Sequence, residues 1–272
     1  MKRLVLLTLL ALGGCTQKQN NAWLGYGEGD YAFVSAPQGG WVMSLAVERG
    51  QLVHKGDLLF TLDDTQQAAS RDQALASLRQ AKASLTQEEA NLNYATIELT
   101  RQNGLARDNA GTPANRDQAE NNVQQSKARI DQLFAQIGQM EASLRSADYA
   151  LTQRRIVSQT QGPVEDVYFR PEEYVAPNAS VISVLPPENI YVRFFVPETE
   201  LAKVHLGQKV KITCDGCPPM QATVTFIASR QEYTPPVIFS IGNREKLVFK
   251  MEARAPGGLP IHSGQPVEVS PL

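Results

Sequence analysis

RQNGLARDNAGTP, Arg101 to Pro113, decides how the long middle of this chain is folded. Gly104, Gly111 and Pro113 all break helices. On either side, from Gln66 to Gln153, the composition is Ala, Gln, Leu, Glu, Arg and Asn. Before the stretch, Leu78, Leu85, Leu92 and Leu99 recur every seven residues; after it, Val123, Ile130, Ile137, Leu144 and Leu151 do the same. Ala81, Ala95, Ser126, Leu133, Met140 and Ala147 form a second set three residues on. A seven-residue apolar period this long predicts a coiled coil. Two helices lying on a globular core would need a wider apolar face. In an antiparallel hairpin the facing layers mirror about one position. Leu99 faces Val123, Leu92 faces Ile130, Leu85 faces Ile137 and Leu78 faces Leu144, and the mirror falls on Gly111. Heptads and turn residues, read separately, agree. Helices of about 40 residues give an arm about 60 Å long. Asp63, Asp64 and Thr65 are N-cap candidates for the first helix. Thr112 with Pro113 fits the N-cap and first turn of the second. A plain turn would be polar, yet this one carries Leu105 between Arg101 and Arg107.

The segments flanking the hairpin are related to each other. Shifting Gly40–Leu62 by 122 positions lays its apolar pattern on Gly162–Val184. Gly40 then meets Gly162, Val42 meets Val164, Leu45 meets Val167, Val47 meets Phe169, Val53 meets Val175 and Leu62 meets Val184. Each copy alternates and carries turn residues, so each reads as short strands. Neither has enough apolar residues to close a core, and the pair predicts one flattened β-sandwich made of two copies of a unit. After Pro186-Pro187, strands are expected at Ile190–Val196, Val210–Thr213, Ala222–Ala228, Leu247–Ala253 and Val267–Val269, with a short helix at Glu198–Val204. Short strands with Gly and Pro turns suggest a small β-barrel. Tyr233–Phe239, which contains Pro235-Pro236, reads as an extended loop. The fold class is therefore α+β and multidomain.

The chain has 272 residues, 20% of them charged, and a net charge of −2. That balance leaves out the basic stripe that nucleic acid requires. Lys2 and Arg3, the apolar run Leu4–Leu12 and Gly13-Gly14 form a secretory signal, too short to span a bilayer. Leu12-Gly13-Gly14-Cys15 has the form of a lipobox, with cleavage before Cys15 and acylation of its thiol. Thr16, rather than Asp, follows the Cys, which by the sorting rule points to the outer membrane. Cys214 and Cys217 form a C-x-x-C that follows a strand and runs into Pro218-Pro219, which favours a stapled turn over a redox site at a helix start. In an oxidising compartment the pair is expected to be a disulfide. His54, His205 and His262 are scattered and form no ligand pair, so neither metal nor cofactor is expected. The sequence offers no catalytic constellation and no nucleotide loop.

A lipid-anchored split sandwich, interrupted by a coiled-coil hairpin and followed by a barrel, resembles the periplasmic adaptors, or membrane fusion proteins, of the haemolysin-D (HlyD) type. Val34-Ser35-Ala36-Pro37 and Gly50-Gln51-Leu52-Val53-His54-Lys55-Gly56 resemble the first half of that family's lipoyl-like domain. The second half departs, with Glu172 and Asn178 where Gly50 and Gly56 map. Gly207-Gln208-Lys209-Val210 resembles the barrel signature, and Tyr233 through Arg244 to Glu252 resembles adaptors that serve ABC-type exporters. The resemblance implies a signal peptide at 1–14, a lipid-anchored linker at 15–28, lipoyl-like halves at 29–63 and 156–187, a hairpin at 64–155 with its tip at 101–113, and a barrel with membrane-proximal strands at 188–272. It implies a non-catalytic adaptor, ring-forming with six copies, that links an inner-membrane ABC-type permease to a TolC-like outer-membrane channel across the periplasm. The family is held at the inner membrane; Thr16 keeps the outer membrane open. The family's tip spacing falls on Arg101, Leu105 and Thr112, with Thr in place of Ser, and implies that these residues engage the channel. Two other classes fit less of the chain. A structural coiled-coil lipoprotein, a spacer or adhesin, has no use for a split sandwich. A lipoyl or biotinyl carrier needs a lysine in the turn that is here opened by Asp63-Asp64-Thr65.

Overall fold

A computed structural model describes residues 22–233 and 247–272. In chain order, β1 (Trp23–Gly29) precedes β2 (Ala32–Ser35), β3 (Gly40–Leu45), β4 (Leu52–Val53) and β5 (Leu58–Leu62). Two long helices follow, α1 (Thr65–Arg107) and α2 (Pro113–Thr152). Then come β6 (Arg155–Val157), β7 (Gly162–Val167), β8 (Tyr174–Val175) and β9 (Ser180–Val184). The chain ends with β10 (Ile190–Pro197), β11 (Lys209–Thr213), β12 (Met220–Tyr233), β13 (Leu247–Arg254) and β14 (Pro266–Pro271). Contacts divide these into two compact units, Ala32–Val184 and the remainder.

In the first unit, two four-stranded sheets, β2-β9-β7-β4 and β6-β5-β3-β8, enclose one core. The internal repeat is visible in the hydrogen-bond register itself. Val42, Ser44 and Leu45 pair with Leu62, Thr61 and Phe60. Their counterparts 122 residues on, Val164, Asp166 and Val167, pair with Val184, Ser183 and Ile182. The halves also interlock. Gly40 pairs with Val175 and Trp41 with Tyr174; the mirror image pairs Val53 with Gly162 and Leu52 with Pro163. Val42, Val53, Leu59, Phe60 and Leu62 are buried, as are their repeat partners Val164, Val175, Val181, Ile182 and Val184. Each half thus supplies half of one apolar core, which neither could close alone. Gly50 and Gly56 take φ of 84° and 96°, and Glu172 and Asn178 take 71° and 62°. The reason is a bond repeated in both halves: Gly50 N–H donates to Val164 O, and Glu172 N–H donates to Val42 O, both at 2.8 Å. The second half therefore keeps the left-handed turn without the glycine that would relieve it, and Glu172 bears the strain.

The hairpin leaves β5 and returns into β6. Leu78, Ala81 and Ile137 form a buried cluster with Leu85, Met140 and Leu144 against it, in the layers that the mirror about Gly111 requires. Arg71–Asp148 and Lys82–Glu141 bridge the helices at 3.1 and 3.4 Å. These pairs are exposed and stabilise little. Asp63 accepts from Thr65 N and Oγ1 at the start of α1; those bonds, side chain first, hold its carboxyl below the usual range.

The second unit is a closed barrel, β1-β10-β13-β12-β11-β14. Residues 15–28 were expected to be linker, and here the structure corrects the reading. Trp23–Gly29 is a strand bonded to β10 on one side and β14 on the other, and it closes the barrel. Glycines at 25, 27 and 29 lower strand propensity and mask the signal. They are required nonetheless: a Cβ on Gly25 would lie 2.4 Å from Arg193 O. The 198–204 segment forms a 3-10 turn over Glu198–Lys203, and β12 extends well beyond the expected Ala222–Ala228, with register shifts along its pairing with β13. Inside, Trp23 stacks on Phe194 with ring centroids 5.8 Å apart and donates from Nε1 to Glu200 at 2.7 Å. Outside, Arg193 bonds Glu252, Glu28 and the Tyr191 hydroxyl. Arg254 lies 4.0 Å from the Tyr191 ring centre and bonds Asp30.

Candidate functional site

The expected tip residues all lie at the distal end of the hairpin, in three different structural settings. Gly104 does not stop α1, contrary to the sequence reading. A single helical glycine costs only about 1 kcal/mol, and its carbonyl keeps a bond from Asp108 N at 3.2 Å. The helix stops at Asn109, whose φ is 57°. Past it, Ala110 N and Gly111 N both donate to Leu105 O, at 2.9 and 3.1 Å, a left-handed C-terminal cap. A Cβ on Gly111 would lie 3.2 Å from both Ala106 N and Leu105 Cβ, a tight contact that favours glycine.

Leu105 therefore sits in the last turn of α1 with its side chain 39% exposed. Arg101, one turn earlier on the same face, pairs with Glu98. Glu98 also accepts from Gln102 at 2.8 Å. The hydrogen bond from Arg101, then that from Gln102, lowers the Glu98 carboxyl pKa, and Arg101 is held charged in return. Arg101 is thus a guanidinium positioned by Glu98, not a freely solvated one. The Thr112 hydroxyl accepts from Asn115 N at 3.3 Å, so it caps α2 and its oxygen is already engaged within the chain.

Two further residues share the Arg101 face and were not singled out from the sequence. Tyr94 is 71% exposed and Ile97 is 62% exposed, seven and four residues before Arg101. Their helical spacing was the signal that could have found them. At the other end of the hairpin, Arg154 is buried. Its Nη1 donates to Gly39 O at 2.8 Å and its Nη2 to Gln38 at 3.3 Å, which ties the end of α2 to the sandwich.

Cys214 and Cys217 are joined by a disulfide, Cα atoms 5.4 Å apart, at the turn after β11. The signal segment, Cys15 and Thr16 lie outside the described residues; of the expected loop Tyr233–Phe239, Tyr233 ends β12 and the rest lies outside them. Among the described residues no helix is long and apolar enough to cross a membrane.

No family model matches the chain. A UPF0194 membrane protein of Acidithiobacillus ferridurans is 28% identical, over 85% of this chain and 80% of that protein. The crystal structure of MacA from Actinobacillus actinomycetemcomitans has a similar fold, with a TM-score of 0.69 at 21% identity, over 93% of this chain and 79% of that one. The membrane fusion protein Spr0693 of Streptococcus pneumoniae R6 matches with a TM-score of 0.56 at 16% identity, over 92% of this chain and 98% of that one. With the split sandwich, inserted hairpin and closed barrel, these likenesses show that the chain has the fold of MacA and of the membrane fusion protein Spr0693.

Proposed function

We propose that this chain is a periplasmic adaptor that links an inner-membrane ABC-type permease to a TolC-like outer-membrane channel, and that the hairpin tip is the channel-docking end. On this reading the chain, like the adaptors it resembles, catalyses no reaction and works in an efflux assembly. The observation that carries the finer reading is a group of exposed apolar side chains on one face of α1 near the tip. Leu105, Ile97 and Tyr94 project from the distal four turns of α1, around a guanidinium held in place by Glu98. Leu105 fills a groove between channel helices, and Arg101 donates to backbone or carboxylate acceptors there. Thr112 serves by shaping the tip. The barrel faces the permease, lipid on Cys15 holds the chain at the membrane, and six copies form the ring.

Leu105→Asp tests this. It puts a carboxylate into an apolar groove at several kcal/mol per contact, repeated in every copy, so export and channel cross-linking are lost. Because Leu105 is partly exposed and distant from the sandwich core, melting changes little. Leu78→Asp, in a buried layer, unfolds the hairpin base instead. Full export by Leu105→Asp would refute tip docking.

A further inference from the structure

The disulfide and the surface beside it are not used by the docking function. β14 pairs Glu268 with Leu24 of β1 on one side and with Thr213 of β11 on the other. Trp23, Ile212, Val267 and Val269 point into the barrel, so Leu24, Glu268 and Thr213 form a row across its outer wall. Where β11 ends, the turn Cys214–Cys217 rises beside this row and makes a cleft of about 830 Å³. Leu24, Pro266 and Cys214 give it an apolar lining, and Asp215 and Glu268 give it two carboxylates. No basic side chain lines it, and neither carboxylate has an ion-pair partner among the described residues. The volume lies within the usual range for small-molecule sites.

The cysteine bridge has a purpose at this place. Asp215 lies between the two bonded cysteines, in a turn closed by Cys217 N–H donating to Cys214 O at 3.3 Å, with Gly216 at φ 78°. The staple fixes the carboxylate at the cleft wall in advance, which lowers the ordering cost of binding. Two carboxylates over an apolar floor select a cation with an apolar body. They are too few for a metal: among the described residues no group of three or more acidic, His or Cys side chains could hold one.

We propose that this cleft binds an organic cation of amphiphilic character, and that the Cys214–Cys217 bridge is a positioning element for it. The test is fluorescence anisotropy of rhodamine 6G, a cationic amphiphile, with the purified chain, and of the anion ANS as the charge control. The chain should bind rhodamine 6G and favour it over ANS. Asp215→Asn with Glu268→Gln, exposed near-isosteric changes, should weaken rhodamine binding about five- to tenfold at unchanged melting temperature. Reduction of the bridge should weaken it in the same direction, and Leu105→Asp should leave it unchanged. Equal binding of cation and anion, or a rhodamine affinity untouched by the double substitution, would overturn the proposal.

Discussion

Glu172→Gly should make the sandwich more stable, although it deletes a side chain. Glu172 sits at φ 71° because its N–H must reach Val42 O. A non-glycine residue pays about 1–2 kcal/mol for that conformation. The side chain is exposed and bonds to no other side chain among the described residues, so its removal loses no interaction. Glycine returns about 0.5–1 kcal/mol of this by loosening the unfolded chain. The net gain is about 0.5–1 kcal/mol, a two- to fivefold rise in protection. Hydrogen exchange with mass spectrometry over residues 32–62 and 164–184 reads this unit apart from the barrel. Gly50→Ala is the reciprocal change at the repeat-related position. A Cβ there meets nothing within 4 Å, so its loss of about 1 kcal/mol comes from backbone strain alone. If Glu172→Gly lowers protection, or if Gly50→Ala raises it, the repeat-based account of these turns is wrong.

Arg154→Met should lower sandwich stability by about 2–3 kcal/mol in urea unfolding, because the Gly39 carbonyl and the Gln38 side chain lose charge-assisted donors in a buried site. Gly25→Val should prevent β1 from closing the barrel, since its side chain would enter the space of Arg193 O; protease cleavage near residue 22 and exposed Trp23 emission would report it. Burial, working against the charge of Arg193, raises the Tyr191 hydroxyl pKa to about 12. The folded pKa is above the unfolded value, so the stability it contributes is whole below pH 10 and falls between about pH 10 and 12, by up to about 2–3 kcal/mol. Absorbance titration of the phenol with a barrel melting curve at each pH checks both statements.

The repeat and the hairpin were legible because their signals are apolar and periodic. A core built by two interlocked copies must place Val42 and Val164, or Phe60 and Ile182, in equivalent strands, and the spacing of 122 survives in the ladder register. Heptads fix facing layers, so Gly111 could be located before any turn geometry was known. β1 was illegible because its alternate glycines have no side chains to pattern, and their necessity depends on Arg193 and His262, far along the chain. The end of α1 was misread because a glycine is a weak breaker and the real stop is the left-handed Asn109. The tip trio came from the family's spacing, and a spacing cannot tell an exposed side chain from a cap. Only geometry distinguishes Leu105 from Thr112, or reveals that Glu98 holds Arg101.

The docking account rests on what touches position 105 in the cell. A photoreactive amino acid there, with the same substitution at Tyr149 near the hairpin base as the comparison, gives the most direct reading. The account predicts that irradiation joins position 105, but not position 149, to an outer-membrane channel protein. Conjugates from position 105 that contain only further copies of this chain, or none at all, would contradict it.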